Sequence, residues 1–300
     1  VPELPEVETA RRYIERHLTG KVILSITNTL PKLLRDSPIG DLEPLVGARL
    51  VSTYRRSKVM ALGFDNDLSL LLHLKLAGQW AILLPGGERY VAGHPVPDPA
   101  GPYPHKVTHV TFEFDDGTIA YLSDVRQFGW LRLMPTEDVR EAIDAFGFGP
   151  EGTGELDAKM LGAVIARRGI PIKTLMLDQS FIAGLGNIYV DEVLFRSKIH
   201  PARPANSLTA AQRRTVLSHI PGVLAEGIRQ GGVKIIHSIA YPIGGFPAVH
   251  GRAGEPCFVC GTTIEKMRVG GRGTYFCPNC QRVYRPRRTS RKAAVAGPSQ

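Results

Sequence analysis

Apolar positions fall at helical spacing first near the start of the chain, where Val7, Ala10, Ile14 and Leu18 share one face. Pro5 can open that helix and Gly20 can close it. From Lys21 to about Pro135 the period shortens. Val51-Ser52-Thr53-Tyr54, the run Leu68 to Leu84 and His109 to Phe114 read as strands. Asp115-Asp116-Gly117 marks a hairpin before Thr118 to Leu122, and Pro95 to Pro104 reads as a surface loop. One helix followed by strands in sequence predicts a β-sandwich or barrel-like domain.

Helical spacing then returns. A short helix from Asp138 to Ala145 leads into a Gly/Pro-rich connector over 147–152. Leu156 to Arg168 is amphipathic, and Ile188 to Phe195 forms a helix after Gly184-Leu185-Gly186-Asn187. Thr209 caps a third helix, which Pro221-Gly222 should kink or split. Residues 231–249 read as loop. The class is α+β and multidomain: 1–135 is a strand-rich domain, 136–155 a linker and 156–250 a helical domain. A cysteine segment, 251–282, and a basic tail expected to be disordered, 283–300, complete the chain.

Composition narrows the partners. With 300 residues and 43% hydrophobic content the chain can build two ordinary cores. No apolar run could span a bilayer and the start lacks an apolar signal segment, so a soluble cytoplasmic protein without a membrane partner is expected. The formal charge is +9, and nine basic residues but no acid follow Glu265. A polyanion is therefore expected at the C-terminal end above all.

Three features carry candidate chemistry. Cys257-x-x-Cys260 and Cys277-x-x-Cys280, sixteen residues apart, have the spacing of a four-thiolate ribbon around one structural Zn2+. Four thiolates leave no open coordination position, so the metal folds the segment and does not catalyse. Its tip, Val269 to Thr274, offers glycine amides and the Arg272 guanidinium to phosphate. At the other terminus, removal of Val1 would give Pro2 a free secondary amine beside the Glu3 carboxyl. An amine attacks a sugar carbon to form an iminium, and an acid protonates the departing group. The plainer alternative is a helix lead-in, with Glu6 and Glu8 favouring the positive end of the helix dipole.

Weaker signals have plain alternatives too. Gly184-x-Gly186-Asn187 can bind an anion at a helix start, or Asn187 can simply cap the helix. Tyr54-Arg55-Arg56-Ser57-Lys58 can be a solvated edge. His73 lies within a leucine run where a core histidine is the default, and Asp124-x-Arg126 alone marks only a turn.

In combination these stretches are far more specific. Pro2-Glu3-Leu4-Pro5-Glu6-Val7-Glu8, Arg55-Arg56-Ser57-Lys58, His73-Leu74, Asp124-x-Arg126-x-Phe128-Gly129, Asp178-Gln179, Gly184 to Tyr189 and Gly271-Arg272-Gly273-Thr274 occur in order. With the cysteines, the chain resembles the formamidopyrimidine-DNA glycosylase family to about Arg282, nearer its oxidised-purine branch than its oxidised-pyrimidine one. The resemblance implies an N-terminal β-sandwich with a flanking helix, a helix–two-turn–helix domain and a zinc ribbon. It implies a monomeric bacterial base-excision repair enzyme acting on damaged double-stranded DNA at the nucleoid. Pro2 would be the nucleophile and Glu3 the acid that helps open the sugar. Lys58 would serve β-elimination and Arg272 δ-elimination. His73, Arg126, Arg168, Lys173 and Asn187 would contact DNA, and Leu76, Arg126 and Phe128 would fill the gap left by the extruded base. The alternatives are an oxidised-pyrimidine glycosylase of the same fold and a non-catalytic damaged-DNA binder.

Several positions depart from the family pattern. Leu76 stands where many relatives have methionine, and Gln127 and Val107 replace residues that are commonly basic or histidine. The 231–250 stretch is several residues short, and the basic tail exceeds the usual end, where it is expected to add non-specific DNA affinity.

Overall fold

Pro5 opens helix α1 (Leu4–Leu18), and a capping box ties its first turn, the Glu3 amide donating to Glu6 Oε2 at 2.8 Å. The stripe Val7, Ala10, Ile14 and Leu18 is at most 1% exposed, which sets α1 against the strands that follow. The structure, a computed structural model, describes residues 2–236 and 239–284. Val1 and the tail from 285 lie outside the described residues, and the expectations placed on them lie there too.

The strands are β1 (Ile23–Asn28), β2 (Leu50–Arg56), β3 (Val59–Phe64), β4 (Leu68–His73), β5 (Gly78–Leu83), β6 (Arg89–Gly93), β7 (Thr108–Phe114), β8 (Ile119–Asp124) and β9 (Trp130–Pro135). They form two antiparallel sheets, ordered β1-β7-β8-β5-β6 and β2-β3-β4-β9. Leu62, Leu70, Leu72, Leu131 and Leu133 of one sheet meet Trp80, Ile82, Val110, Phe112 and Leu122 of the other in a single core, closed by α1. The expected run Leu68 to Leu84 is two strands in different sheets. The chain crosses between them at Leu74–Ala77, with Lys75 at φ 48° and Gly78 too close to the Leu74 backbone to admit a Cβ.

After α2 (Val139–Asp144) come α3 (Ala158–Arg167), α4 (Ile172–Met176), α5 (Asn187–Arg196) and α6 (Ala210–Arg229), packed around a second core of Ile165, Leu175, Val190, Leu194, Leu217 and Leu224. Helix α6 continues through Pro221, so the split expected as one outcome there does not occur. Burial of Val216, Leu217, Ile220, Val223, Leu224 and Gly227 along one face outweighs the lost backbone bond. Within 231–249 the two-residue strands β10 (Ile235–Ile236) and β11 (Ile239–Ala240) pair, and the other described residues there are loop as expected. Strands β12 (Glu265–Val269) and β13 (Arg272–Phe276) form the ribbon hairpin.

The cations of the β2–β3 turn are a clamp and not the expected solvated edge. Arg55 forms a bidentate pair with Glu151 of the connector, at 2.8 and 3.0 Å, and a 2.9 Å bond to Glu8. Arg56 donates to Gly149 O at 2.6 Å, and the Ser57 amide to Glu151 Oε2 at 2.7 Å. Three guanidinium groups thus act on Glu8. Burial alone would push its carboxyl up, but bonds from Arg11, Arg55 and Arg12 outweigh it and hold the group at about 2. A folded pKa below the usual 4.5 means stability that is whole above pH 4.5 and drains as pH falls towards 2. Screening by solvent at the exposed Arg12 makes about 3 kcal/mol the ceiling of that contribution. Glu8→Gln should remove that part of the acid dependence, read as a smaller drop in thermal midpoint between pH 6 and pH 3.

Candidate active site and nucleic-acid interface

The two domains meet where α1 begins and α5 begins. Glu3 precedes α1, and its carboxylate accepts the Ile188 amide at 2.9 Å and the Tyr189 amide at 3.4 Å, so it caps α5 from 185 residues away. The glycine turn does bind an anion, and the anion is this side chain. Gly186 takes the cap position expected of Asn187, and a Cβ there would stand 2.2 Å from the Glu3 carboxyl carbon. Gly184, at φ 98°, is equally tight against Leu4. Glu6 is wholly buried beside it, accepting Tyr189 Oη–H at 2.7 Å and the Val233 amide at 2.9 Å. Burial and the Glu3 charge push the Glu6 carboxyl up. Pro2 is therefore buried at a junction whose neighbours are fixed on both sides.

Lys58 reaches the same junction from the β2–β3 turn, donating to Leu185 O at 2.8 Å. Gln179 donates to that carbonyl as well, at 2.7 Å, and accepts the Gly184 amide at 3.0 Å. Burial drives the Lys58 ammonium below its ordinary pKa, opposed by the Glu3 and Glu6 charges and reinforced by Arg272. A lysine so shifted gives up its proton more readily. Arg272 opens β13 directly after Gly270 and Gly271, whose φ values of 56° and 76° make a two-residue hairpin turn. Only glycine also lets residue 270 approach Thr174 of α4, at 2.6 Å from its virtual Cβ.

Lys173 departs from expectation. It is fully buried, with its ammonium 2.7 Å from Asp191 Oδ1 and 3.1 Å from Gly273 O. Its charge is engaged inside the protein, which leaves it no free face for a phosphate. Asn187 likewise donates to Gly273 O, at 2.8 Å. Both act on the hairpin that carries Arg272. Asp191 also accepts His250 Nδ1 at 2.7 Å and the Tyr275 amide at 3.0 Å, and Glu192 accepts the amides of Ala248, Val249 and His250. Sequence reasoning missed Asp191 and Glu192 and read Glu6 only as a helix-dipole acid, because acids on a helix carry no pattern that distinguishes a buried hub from a solvated face.

On the opposing domain, Arg126 and Phe128 stand on an exposed loop, with the guanidinium 5.1 Å from the Phe128 ring centre and Phe128 itself 53% exposed. Buried Asp124 shapes that loop, accepting the amides of Arg126 at 3.0 Å and Gly129 at 2.8 Å. Leu76 is half-buried, and across on the helical domain Arg168 is exposed at the end of α3. His73 is half-buried and held near pKa 3 by burial and by Lys75 and Lys58, so its ring is neutral. Nδ1 accepts the Lys75 amide at 2.8 Å, which leaves the proton on Nε2 for an outside acceptor.

A cleft of about 420 Å³ lies between these walls, bordered by Glu3, Asn187, His250, Tyr275, Arg126 and Ile235 among others. The four cysteine sulfurs lie within 4.8 Å of one another, with Cys260 3.5 Å from both Cys277 and Cys280. Four sulfurs about 2.3 Å from a tetrahedral Zn2+ would be spaced about 3.8 Å apart, so the set fits one structural zinc ion.

A sandwich, a helical domain and a four-cysteine ribbon around one cleft define the helix–two-turn–helix glycosylase class. Three family matches agree: formamidopyrimidine-DNA glycosylase N-terminal domain over residues 1–131, formamidopyrimidine-DNA glycosylase H2TH domain over 148–238, and the zinc finger found in FPG and IleRS over 254–283. A formamidopyrimidine-DNA glycosylase of Lactobacillus gasseri is 35% identical, the alignment covering 95% of this chain and all of that one. The Lactococcus lactis Fpg, solved with abasic-site DNA, superposes with a TM-score of 0.81 at 33% identity over 94% of this chain and all of the other. A MutM structure with carbocyclic 8-oxo-G DNA gives 0.80 at 34% identity, with the same coverage. The chain belongs to the formamidopyrimidine-DNA glycosylase family. Among the described residues no helix is long and apolar enough to cross a membrane.

Proposed function

We propose that this protein excises oxidised purines such as 8-oxoguanine and formamidopyrimidines from duplex DNA, then nicks the strand as an AP lyase. The Pro2 nitrogen attacks C1′ of the damaged nucleotide and the bond from C1′ to the base breaks. The Glu3 carboxylate takes the proton that the Pro2 nitrogen sheds and passes it to the ring oxygen as the sugar opens, giving an iminium. Lys58 removes a C2′ proton and the 3′ phosphate leaves. Arg272 stabilises the charge on the 5′ phosphate in the second elimination. Hydrolysis of the iminium restores Pro2. Pro2 can do this only with nothing before it, since an amide nitrogen has no available electron pair.

The observation that supports the reading most is the Glu3 carboxylate on the α5 amides at the border of the cleft, next in sequence to Pro2, with Lys58 bonded to Leu185 O just before the α5 cap. His73 and Arg168 are assigned to phosphates. Arg126 does the same and, with Leu76 and Phe128, fills the gap left by an extruded base, whose unstacking costs roughly a few kcal/mol. Lys173 and Asn187 act through Gly273. The protein works as a monomer in the bacterial cytoplasm, with units 1–135, 156–250 and 251–282 joined by the 136–155 linker.

Borohydride trapping tests this directly, on protein whose intact mass shows Pro2 first. A covalent adduct should form with 8-oxoguanine and abasic duplexes, fall at least tenfold in Pro2→Gly, and vanish when the amine is blocked. No adduct on any damaged duplex would leave only a binding protein. Adducts with oxidised pyrimidines alone would move the specificity to the other branch.

A further inference from the structure

The proline-rich segment is not a free surface loop at its beginning. Gln79, fully buried on β5, donates through Nε2 to His94 O and Pro97 O, each at 2.8 Å, and accepts the Tyr103 hydroxyl. That carboxamide pins the segment onto the sandwich and turns His94 and Val96 towards the same 420 Å³ cleft that Glu3 borders. His94 is itself fixed. Its Nδ1 lies 3.2 Å from the Val96 amide and 3.1 Å from the Val96 carbonyl, an i-to-i+2 arrangement like that of an Asx turn. No described residue hydrogen-bonds Nε2, and that atom is not among the fully buried polar atoms without a partner. The ring therefore spends one nitrogen on its own loop and presents the other to the cleft.

We propose that His94 is a base-contacting residue, and that its Nε2 hydrogen-bonds the edge of the purine drawn into the cleft. The inference rests on the glycosylase reading above and adds a contact on the sandwich side of the cleft, facing Asn187 and Tyr275. Burial, with Arg126 nearby, lowers the imidazole pKa, so the ring meets the base neutral. A neutral imidazole complements an oxidised purine in either tautomer. Protonated Nε2 donates to a ring carbonyl, and bare Nε2 accepts from a ring N–H. A pinned side chain does this at little entropic cost.

Two variants separate contact from scaffold. Asn at 94 can keep the bond to the Val96 amide through Oδ1 while losing the reach of Nε2, and Phe keeps the ring without its nitrogens. Single-turnover excision of 8-oxoguanine should fall about tenfold or more in His94→Asn and His94→Phe, while trapping on a pre-formed abasic duplex stays within about twofold of wild type. An abasic site has no base to contact, so only the first substrate reads Nε2. Lesion excision within about twofold of wild type in both variants would overturn the inference and leave the functional reading intact. Parallel loss on both substrates would also overturn it, making His94 a structural residue. Wild-type protein that traps neither substrate would end the functional reading and this inference with it.

Discussion

Chelation of zinc, or Cys277→Ser, should unfold residues 251–282 and leave the β-sandwich folded. The ribbon is two five-residue strands over a small core in which Cys257 and Cys277 are themselves the buried residues, beside Ile264 and Tyr275. A two-stranded hairpin of that size is marginal alone. Structural zinc contributes about 10–16 kcal/mol to the folding of such units, more than the remaining contacts can offset. The loss should spread to one step of the chemistry above all. Arg272 sits at the hairpin turn, so the δ-elimination product should disappear from gels. Pro2, Glu3 and Lys58 rest on α1, α5 and the β2–β3 turn, and should still form the Schiff base on an abasic duplex, with weakened affinity. Chelated protein that keeps both its duplex affinity and its δ product would show that the ribbon stands without metal.

That division of labour was partly legible in the sequence. The cysteine spacing, the apolar stripe of α1 and the strand period of the first domain all follow from local repeats, and the structure places them as read. What failed was whatever depends on a distant partner. Leu68 to Leu84 looks continuous because apolar residues continue through the crossing, and only the backbone at Lys75 and Gly78 reveals the change of sheet. Pro221 is a helix breaker by propensity, overruled by burial of the α6 face that carries Leu217, Ile220 and Leu224. Arg55 and Arg56 are cations by type, but Glu151, some 95 positions on, decides that they hold the connector.

The candidate site divides the same way. Pro2, Glu3, Lys58 and Arg272 were named from motifs, yet their mutual arrangement rests on Glu3 meeting Ile188 across the domain junction. No periodicity encodes that contact. Its trace in the sequence is the pair Gly184 and Gly186, needed because α1 comes too close for a side chain. Lys173 shows the converse. A lysine in a DNA-binding domain suggests a phosphate, and only the buried carboxylate of Asp191 reveals that its charge is spent internally.

Asp191→Ala should therefore be among the most damaging single changes outside the reacting groups. It strands the fully buried Lys173 ammonium and removes the acceptor of the Tyr275 amide and of His250. Breaking a buried pair from one side costs about 3–5 kcal/mol, because the remaining charge has no water to return to. Burial already pulls the Lys173 pKa down against the attraction of Asp191, so loss of that carboxylate should lower it further. The functional loss should follow the hairpin: Lys173 and Asn187 both hold Gly273, next to Arg272, so δ-elimination should fall further than Schiff-base formation. Lys173→Met with Asp191→Leu supplies the control, since replacing both charges by apolar groups removes the stranded ion. The double variant should regain most of the thermal midpoint lost by Asp191→Ala. If instead Asp191→Ala unfolds within about 1 kcal/mol of wild type, the pair is not the hub that its burial indicates.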